Sequence, residues 1–308
     1  MADGLEEFQE HRSRMFGIAY QMLGSVTDAE EILQEAWLRW QGVDHSQVKD
    51  PAAFLARTVT NLCLNLLTSA RARREVYVGP WLPEPVLTDL GEAGRPDDLG
   101  PLELATQRET VSFALLTVLE RLSPAERAAY VLREAFAYSH REIADLIGTT
   151  EANARQLHSR ARKRVADERV QREVDRGQWR TLVERFLAAA QLGDVAGLEA
   201  LLADGVVSRA DGGGLVNAAR NPIEGRKRVA RYLIGVLQRF GAGMIPHFGE
   251  ANGEPVIIAT SEDGLRAVGF VTFDGDRISG LQLVINPDKL AFADRQLSRI
   301  GGLSGLGW

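Results

Sequence analysis

Residues 139–165, SHREIADLIGTTEANARQLHSRARKRV, read as two short helices around a tight turn. Ser139 with Glu142 three residues on is a capping box, so a helix starts there. Ile143, Ala144 and Ile147 place one apolar stripe on it, and Gly148 supplies the left-handed residue that closes a helix. Thr149 or Thr150 can cap a second helix, on which Ala154, Leu157, Ala161 and Val165 share an inner face. The outer face carries Arg155, Gln156, Ser159, Arg162 and Lys163. A helix with a packed back and such a front suits the major groove of DNA, where these side chains reach base edges and phosphates. The alternative is a solvated charged face on an ordinary helix pair.

The rest of the chain bounds that choice. At 308 residues there is room for two or three domains, each with its own core. The net charge of −6 excludes a uniformly basic nucleic-acid coat. Charge is segregated instead: residues 151–180 hold nine basic against five acidic side chains, and residues 82–110 hold seven acids against two arginines. A local basic patch on an acidic protein implies focused contact. Cys63 is the only cysteine, which excludes an intramolecular disulfide or a cysteine-built zinc site. No apolar run approaches the roughly 20 residues that span a bilayer, and no signal peptide opens the chain. The expectation is a soluble cytoplasmic protein with no membrane contact and no cofactor.

In chain order, residues 5–23 are helical in pattern. Thr27 and Glu30 form a capping box before DAEEILQEAWLRW, whose Ala29, Ile32, Leu33, Ala36, Trp37 and Trp40 share one face. Asp28, Glu31, Gln34 and Glu35 lie outside that face. Asp50-Pro51 starts a third helix that carries Asn61 and Asn65 one turn apart and ends in Arg71, Arg73 and Arg74. Asn can read adenine, though an amide satisfying nearby backbone is the commoner outcome. Residues 76–101 are rich in proline and glycine and read as a linker. Helical pattern resumes near Leu102, and Ser123-Pro124-Ala125-Glu126 starts the helix leading into 139–165. A long helix is expected from about Arg162 through Arg180. From Met244 the period becomes alternating, which predicts an antiparallel sheet after helices, an α+β domain.

These segments in this order resemble an extracytoplasmic-function sigma factor, the subunit that gives bacterial RNA polymerase its promoter choice. The resemblance implies that DAEEILQEAW binds the polymerase through Asp28, Glu31, Gln34 and Glu35. FLARTVTNLCLNLLTSARARR would melt and read the −10 element through Asn61, Asn65, Arg71, Arg73 and Arg74. Residues 122–165 would read the −35 element through Arg155, Gln156, Ser159, Arg162 and Lys163. Asn65 stands where the family often has Asp. The remainder resembles a SnoaL-like domain of the nuclear-transport-factor-2-like fold, a helix-backed curved sheet forming a cone. Sigma factors with this fused extension share three short signatures. Here they are Trp81-Leu82-Pro83-Glu84-Pro85, Asp211-Gly212-Gly213-Gly214-Leu215 and Asn286-Pro287-Asp288-Lys289-Leu290. The second commonly ends in Lys, so this chain lacks one charge there.

The expected architecture is therefore two all-α sigma domains, the second with a helix-turn-helix, followed by an α+β cone. Region 2 occupies 1–75, the linker 76–101, region 4 102–168 and the cone 169–308. The resemblance implies core RNA polymerase and promoter DNA as partners, with the cone regulating in cis and no separate anti-sigma factor. Rival readings are a helix-turn-helix regulator and a cone that binds a small molecule or catalyses a cyclase- or isomerase-like reaction. Asp211 and His247 are then the candidate acid and base. An Asx turn before the triple glycine accounts for Asp211 without catalysis. If Arg155 reads a guanine, Arg155→Ala will cost about 1–3 kcal/mol of DNA binding and relax preference at one base pair. Binding to a panel of single-base duplex variants checks this, since loss of a phosphate contact lowers all of them alike.

Overall fold

The computed structural model describes residues 2–74, 77–89, 112–168 and 175–299; at 2–3, 70–74, 89 and 168 it describes the backbone alone. The chain divides into two compact units. One joins Met1–Val76 with Pro96–Arg169, the other Tyr77–Arg95 with Val170–Trp308.

In the first unit, α1 (Ala2–Leu23), α2 (Val26–Gln41) and α3 (Pro51–Arg74) pack together. Phe16, Tyr20, Trp40 and Leu55 are among the largest fully buried side chains of their core. The α2 cap differs from the expected Thr27 box. Gly24, at φ +67, closes α1, and the extended Ser25 then accepts from Asp28 N at 3.0 Å. The second set of helices is α4 (Phe113–Leu119), α5 (Pro124–Glu134), α6 (His140–Ile147) and α7 (Glu151–Glu168). Both capping boxes, Ser123 with Glu126 and Ser139 with Glu142, are formed. Gly148 adopts the left-handed conformation at φ +69, and Thr150 Oγ1 accepts from Asn153 N at 3.2 Å. The α5 and α6 helices pack against α3, and α5 also against α1. The expected start near Leu102 falls outside the described residues.

In the second unit α8 (Arg176–Gln191) and α9 (Val195–Leu201) precede β2 (Leu202–Asp211), β3 (Ile223–Glu224) and α10 (Arg226–Phe240). Strands β4 (Ile245–Ala251), β5 (Glu254–Ser261), β6 (Gly264–Asp274) and β7 (Arg277–Val284) follow, and α11 (Pro287–Arg299) closes the fold. The continuous helix expected from Arg162 through Arg180 is instead two helices. Asp175 accepts from Gly177 N and Gln178 N, starting α8 afresh. Trp179, Phe186, Leu198, Leu233, Phe273 and Leu281 belong to the core that α8, α9 and α10 build on the sheet. The α11 helix packs against β6.

The sheet is mixed rather than wholly antiparallel, because β2 lies parallel to β7. With β1 at Leu87–Asp89, its strand order is β1-β4-β5-β6-β7-β2-β3. The outermost strand, β1 (Leu87–Asp89), comes from the proline-rich segment read above as a linker. It pairs antiparallel with β4, Leu87 opposite Ala251. Val86 N donates to Asn252 Oδ1 at 3.0 Å, and Asn252 N returns a bond to the Val86 carbonyl at 2.8 Å. On the other side, the fully buried Gln296 of α11 accepts from Leu87 N at 2.9 Å and donates to its carbonyl at 3.1 Å. The side-chain amide thus serves as a substitute strand. Gln296→Ala will leave two buried backbone groups unmet and cost about 1–3 kcal/mol. Chemical denaturation gives the loss, and hydrogen exchange will localise it to residues 86–89.

Candidate functional site

The three short signatures, far apart in sequence, meet at one point of the second unit. Asp211 ends β2 and is fully buried. Its carboxylate accepts from Tyr77 Oη at 2.6 Å, Leu82 N at 2.7 Å, Gly213 N at 3.1 Å and Lys289 Nζ at 2.7 Å. Lys289, on the first turn of α11, also donates to the Leu82 carbonyl. Its ammonium lies 3.8 Å from the Trp81 ring centroid and 5.1 Å from that of Tyr77. One cation is therefore met by a carboxylate, a carbonyl and two aromatic faces, a set that compensates its removal from water. Asn286 caps α11 by accepting from Asp288 N at 3.0 Å and donates to Tyr77 Oη at 3.1 Å. Burial, then the bond to Asp211, pushes the Tyr77 phenol well above its ordinary pKa, so it stays a donor.

The glycines are explained by proximity. Gly213 sits at φ +61, and a Cβ there would stand 2.3 Å from Asn286 Nδ2. Gly214, at φ +77, lies under Val78. Leu82, Pro83 and Glu84 are buried, Trp81 is half-buried, and Pro287 and Asp288 are exposed. Leu215, the last residue of the second signature, is exposed to 61%. Periodicity could not find this cluster, because its members are joined by polar bonds spanning up to 209 positions.

The paired catalytic candidates are not brought together. His247 lies on β4 and Asp211 on β2, with β5, β7 and β6 between them in the sheet. His247 contacts Thr260 Oγ1 at 3.2 Å, and burial lowers its pKa. Asp211 already accepts four bonds, which occupies the lone pairs a general base would need.

In the first unit the outer face of α7 is exposed. Arg155, Gln156, Ser159, Arg162 and Lys163 are all exposed, and Arg155 pairs with Glu151 at 2.7 Å. On α3 Asn61 is half-buried and Asn65 exposed; the side chains of Arg71, Arg73 and Arg74 fall outside the described residues. On α2 Glu31, Gln34 and Glu35 are exposed and Asp28 half-buried, opposite buried Ile32, Leu33 and Trp40. Leu38, 62% exposed, shares the sector of Glu31 and Glu35 and was not singled out above. Among the described residues no cluster suited to a metal ion occurs, and no helix is long and apolar enough to cross a membrane.

Comparison with known proteins agrees with this layout. Residues 8–73 match Sigma-70 region 2, and residues 112–165 match Sigma-70, region 4. The chain is 37% identical over 295 residues to the ECF RNA polymerase sigma factor SigJ of Mycobacterium tuberculosis, covering 92% of each protein. It is 27% identical to a probable ECF RNA polymerase sigma factor, SigI, of that organism, covering 96% of each. The crystal structure of the M. tuberculosis extracytoplasmic function sigma factor SigJ superposes with a TM-score of 0.70 at 34% identity, covering 94% of this chain and 98% of that one.

The lock carries a prediction of its own. Asp211→Asn strands a buried ammonium and Lys289→Met a buried carboxylate, so each will cost about 3–5 kcal/mol. The double variant removes both charges and will be more stable than either single one. Urea denaturation of the three proteins measures the coupling.

Proposed function

Because the chain belongs to the family of extracytoplasmic-function RNA polymerase sigma factors, we propose that its C-terminal domain regulates initiation by holding the segment between the two sigma regions. In this reading α2 binds core RNA polymerase through Glu31, Gln34, Glu35 and Asp28 around Leu38. The α3 helix reads the −10 element through Asn61 and Asn65 with Arg71, Arg73 and Arg74. The α7 helix reads the −35 element through Arg155, Gln156, Ser159, Arg162 and Lys163. Two weak contacts on one tether reinforce each other through effective concentration, which depends on how much tether is free.

The observation that carries the regulatory part is the integration of Tyr77–Asp89 into the second unit, by strand pairing, Gln296 and the Lys289–Asp211 lock. While held, these residues cannot lengthen the connection between regions 2 and 4. Trp81, Leu82, Pro83, Glu84, Asp211, Gly212, Gly213, Gly214, Asn286, Pro287, Asp288 and Lys289 are then the regulatory contacts. The switch lies within one chain and requires no separate anti-sigma factor.

Run-off transcription with purified core polymerase tests both parts. Glu31→Lys with Glu35→Lys will abolish association with the polymerase and all promoter-specific transcript. Lys289→Met will change transcript yield severalfold at an unchanged start site. Equal yields from wild type and Lys289→Met, with the segment shown to be released, would sink the regulatory reading and leave the sigma assignment standing.

A further inference from the structure

The α10 helix of the second unit carries its charge unevenly. Residues 220–240 hold six basic side chains and one acid, on a chain whose net charge is −6. Val229, Ala230, Leu233 and Ile234 turn the apolar face into the core, and Arg226 pairs with Asp204. The other cations of the helix lie away from that face. Lys227, Arg228, Arg231 and Arg239 are all exposed. At about 100° per residue they fall, with Gly235 and Gln238, in one sector of about 120°.

Three features of this sector work against the helix itself. Lys227 and Arg228 stand in the first turn, where cations oppose the helix dipole. Lys227 and Arg231 are like charges one turn apart, a spacing at which they repel. Among the described residues no carboxylate pairs with Lys227, Arg228 or Arg231. By contrast, Arg39 finds Glu35, Arg155 finds Glu151 and Arg180 finds Glu184 one turn away. The third feature is Gly235, exposed in mid-helix, where glycine is a poor helix former. A Cβ there would meet nothing within 4 Å, so the chain's own packing does not require the glycine. Between Arg231 and Arg239 it leaves a gap that suits close approach from outside.

We propose that this sector of α10 binds the phosphate backbone of duplex DNA, giving the C-terminal domain a sequence-independent grip of its own on the promoter. Lys227, Arg228 and Arg231 take the phosphates, and Gly235 lets the strand come close. The sector holds no apolar side chain, whereas the centre of a protein interface is built around apolar and aromatic groups. A phosphate backbone needs only cations within reach. The proposal rests on the sigma reading only for the presence of a promoter duplex.

The test uses the full chain and a short fluorescent duplex of arbitrary sequence, titrated by anisotropy at several salt concentrations. The triple variant Lys227→Gln, Arg228→Gln, Arg231→Gln is expected to bind about tenfold or more weakly. Its slope of log affinity against log salt will be shallower by about 2–3, close to one for each phosphate lost. Gly235→Leu will also weaken the duplex while preserving or raising the melting temperature, because it improves helix propensity and blocks the gap. A purely structural role for this face would not separate the two readouts. Wild-type affinity and slope in the triple variant overturn this proposal alone, since α2, α3 and α7 are untouched; run-off transcription decides the sigma reading separately. An unchanged duplex affinity with loss of core polymerase would identify an acidic protein surface as the partner and equally overturn it.

Discussion

The ammonium of Lys289 decides how the second unit is put together. Dehydrating a lysine is among the costlier events in folding, and it persists only where several groups replace water. Here the replacements come from three separate stretches: the Asp211 carboxylate from the end of β2, the Leu82 carbonyl and Trp81 ring from the inter-region segment, and the α11 turn on which Lys289 itself sits. Remove any one stretch and the other two are left with unmet charge or unmet backbone. The lock therefore makes the capture of residues 77–89 part of the domain's own stability rather than a contact added to a finished fold.

Among the described residues, the two most deeply buried Lys or Arg side chains make an instructive contrast. Lys289 has its charge and hydrogen-bonding demands met within the chain, whereas Arg127 keeps one buried nitrogen without a partner. Both sit in interiors where polar groups are normally satisfied.

The parts legible in the sequence are those set by neighbours in the chain. The Ser139 and Ser123 capping boxes, the Gly148 turn and the apolar stripe of α7 are local devices, and each takes its expected form. Asp175 shows the limit. The run from Arg162 to Arg180 is continuous in composition, yet Asp175 is non-helical and its carboxylate caps a new helix. Strand direction was not legible either, because alternation is the same in parallel and antiparallel strands, and β2 lies parallel to β7. Prolines at 80, 83 and 85 exclude helix and so read as linker, yet they are equally compatible with an extended chain lying on a surface. Asp211 does form the turn bond to Gly213 that its glycine context suggests, and it is at the same time the anion of the lock. Asn286-Pro287, a cap and first-turn pair, was the overlooked signal for α11.

The position of β1 at the end of the strand order has a further consequence. A sheet edge with unpaired amides and carbonyls is a template for association with other chains, and proteins usually cover or blunt it. In this domain the cover for β4 is the inter-region segment itself. Releasing that segment uncovers a sticky border. A C-terminal domain without that segment would then be prone to recruit a foreign strand or a second copy of itself.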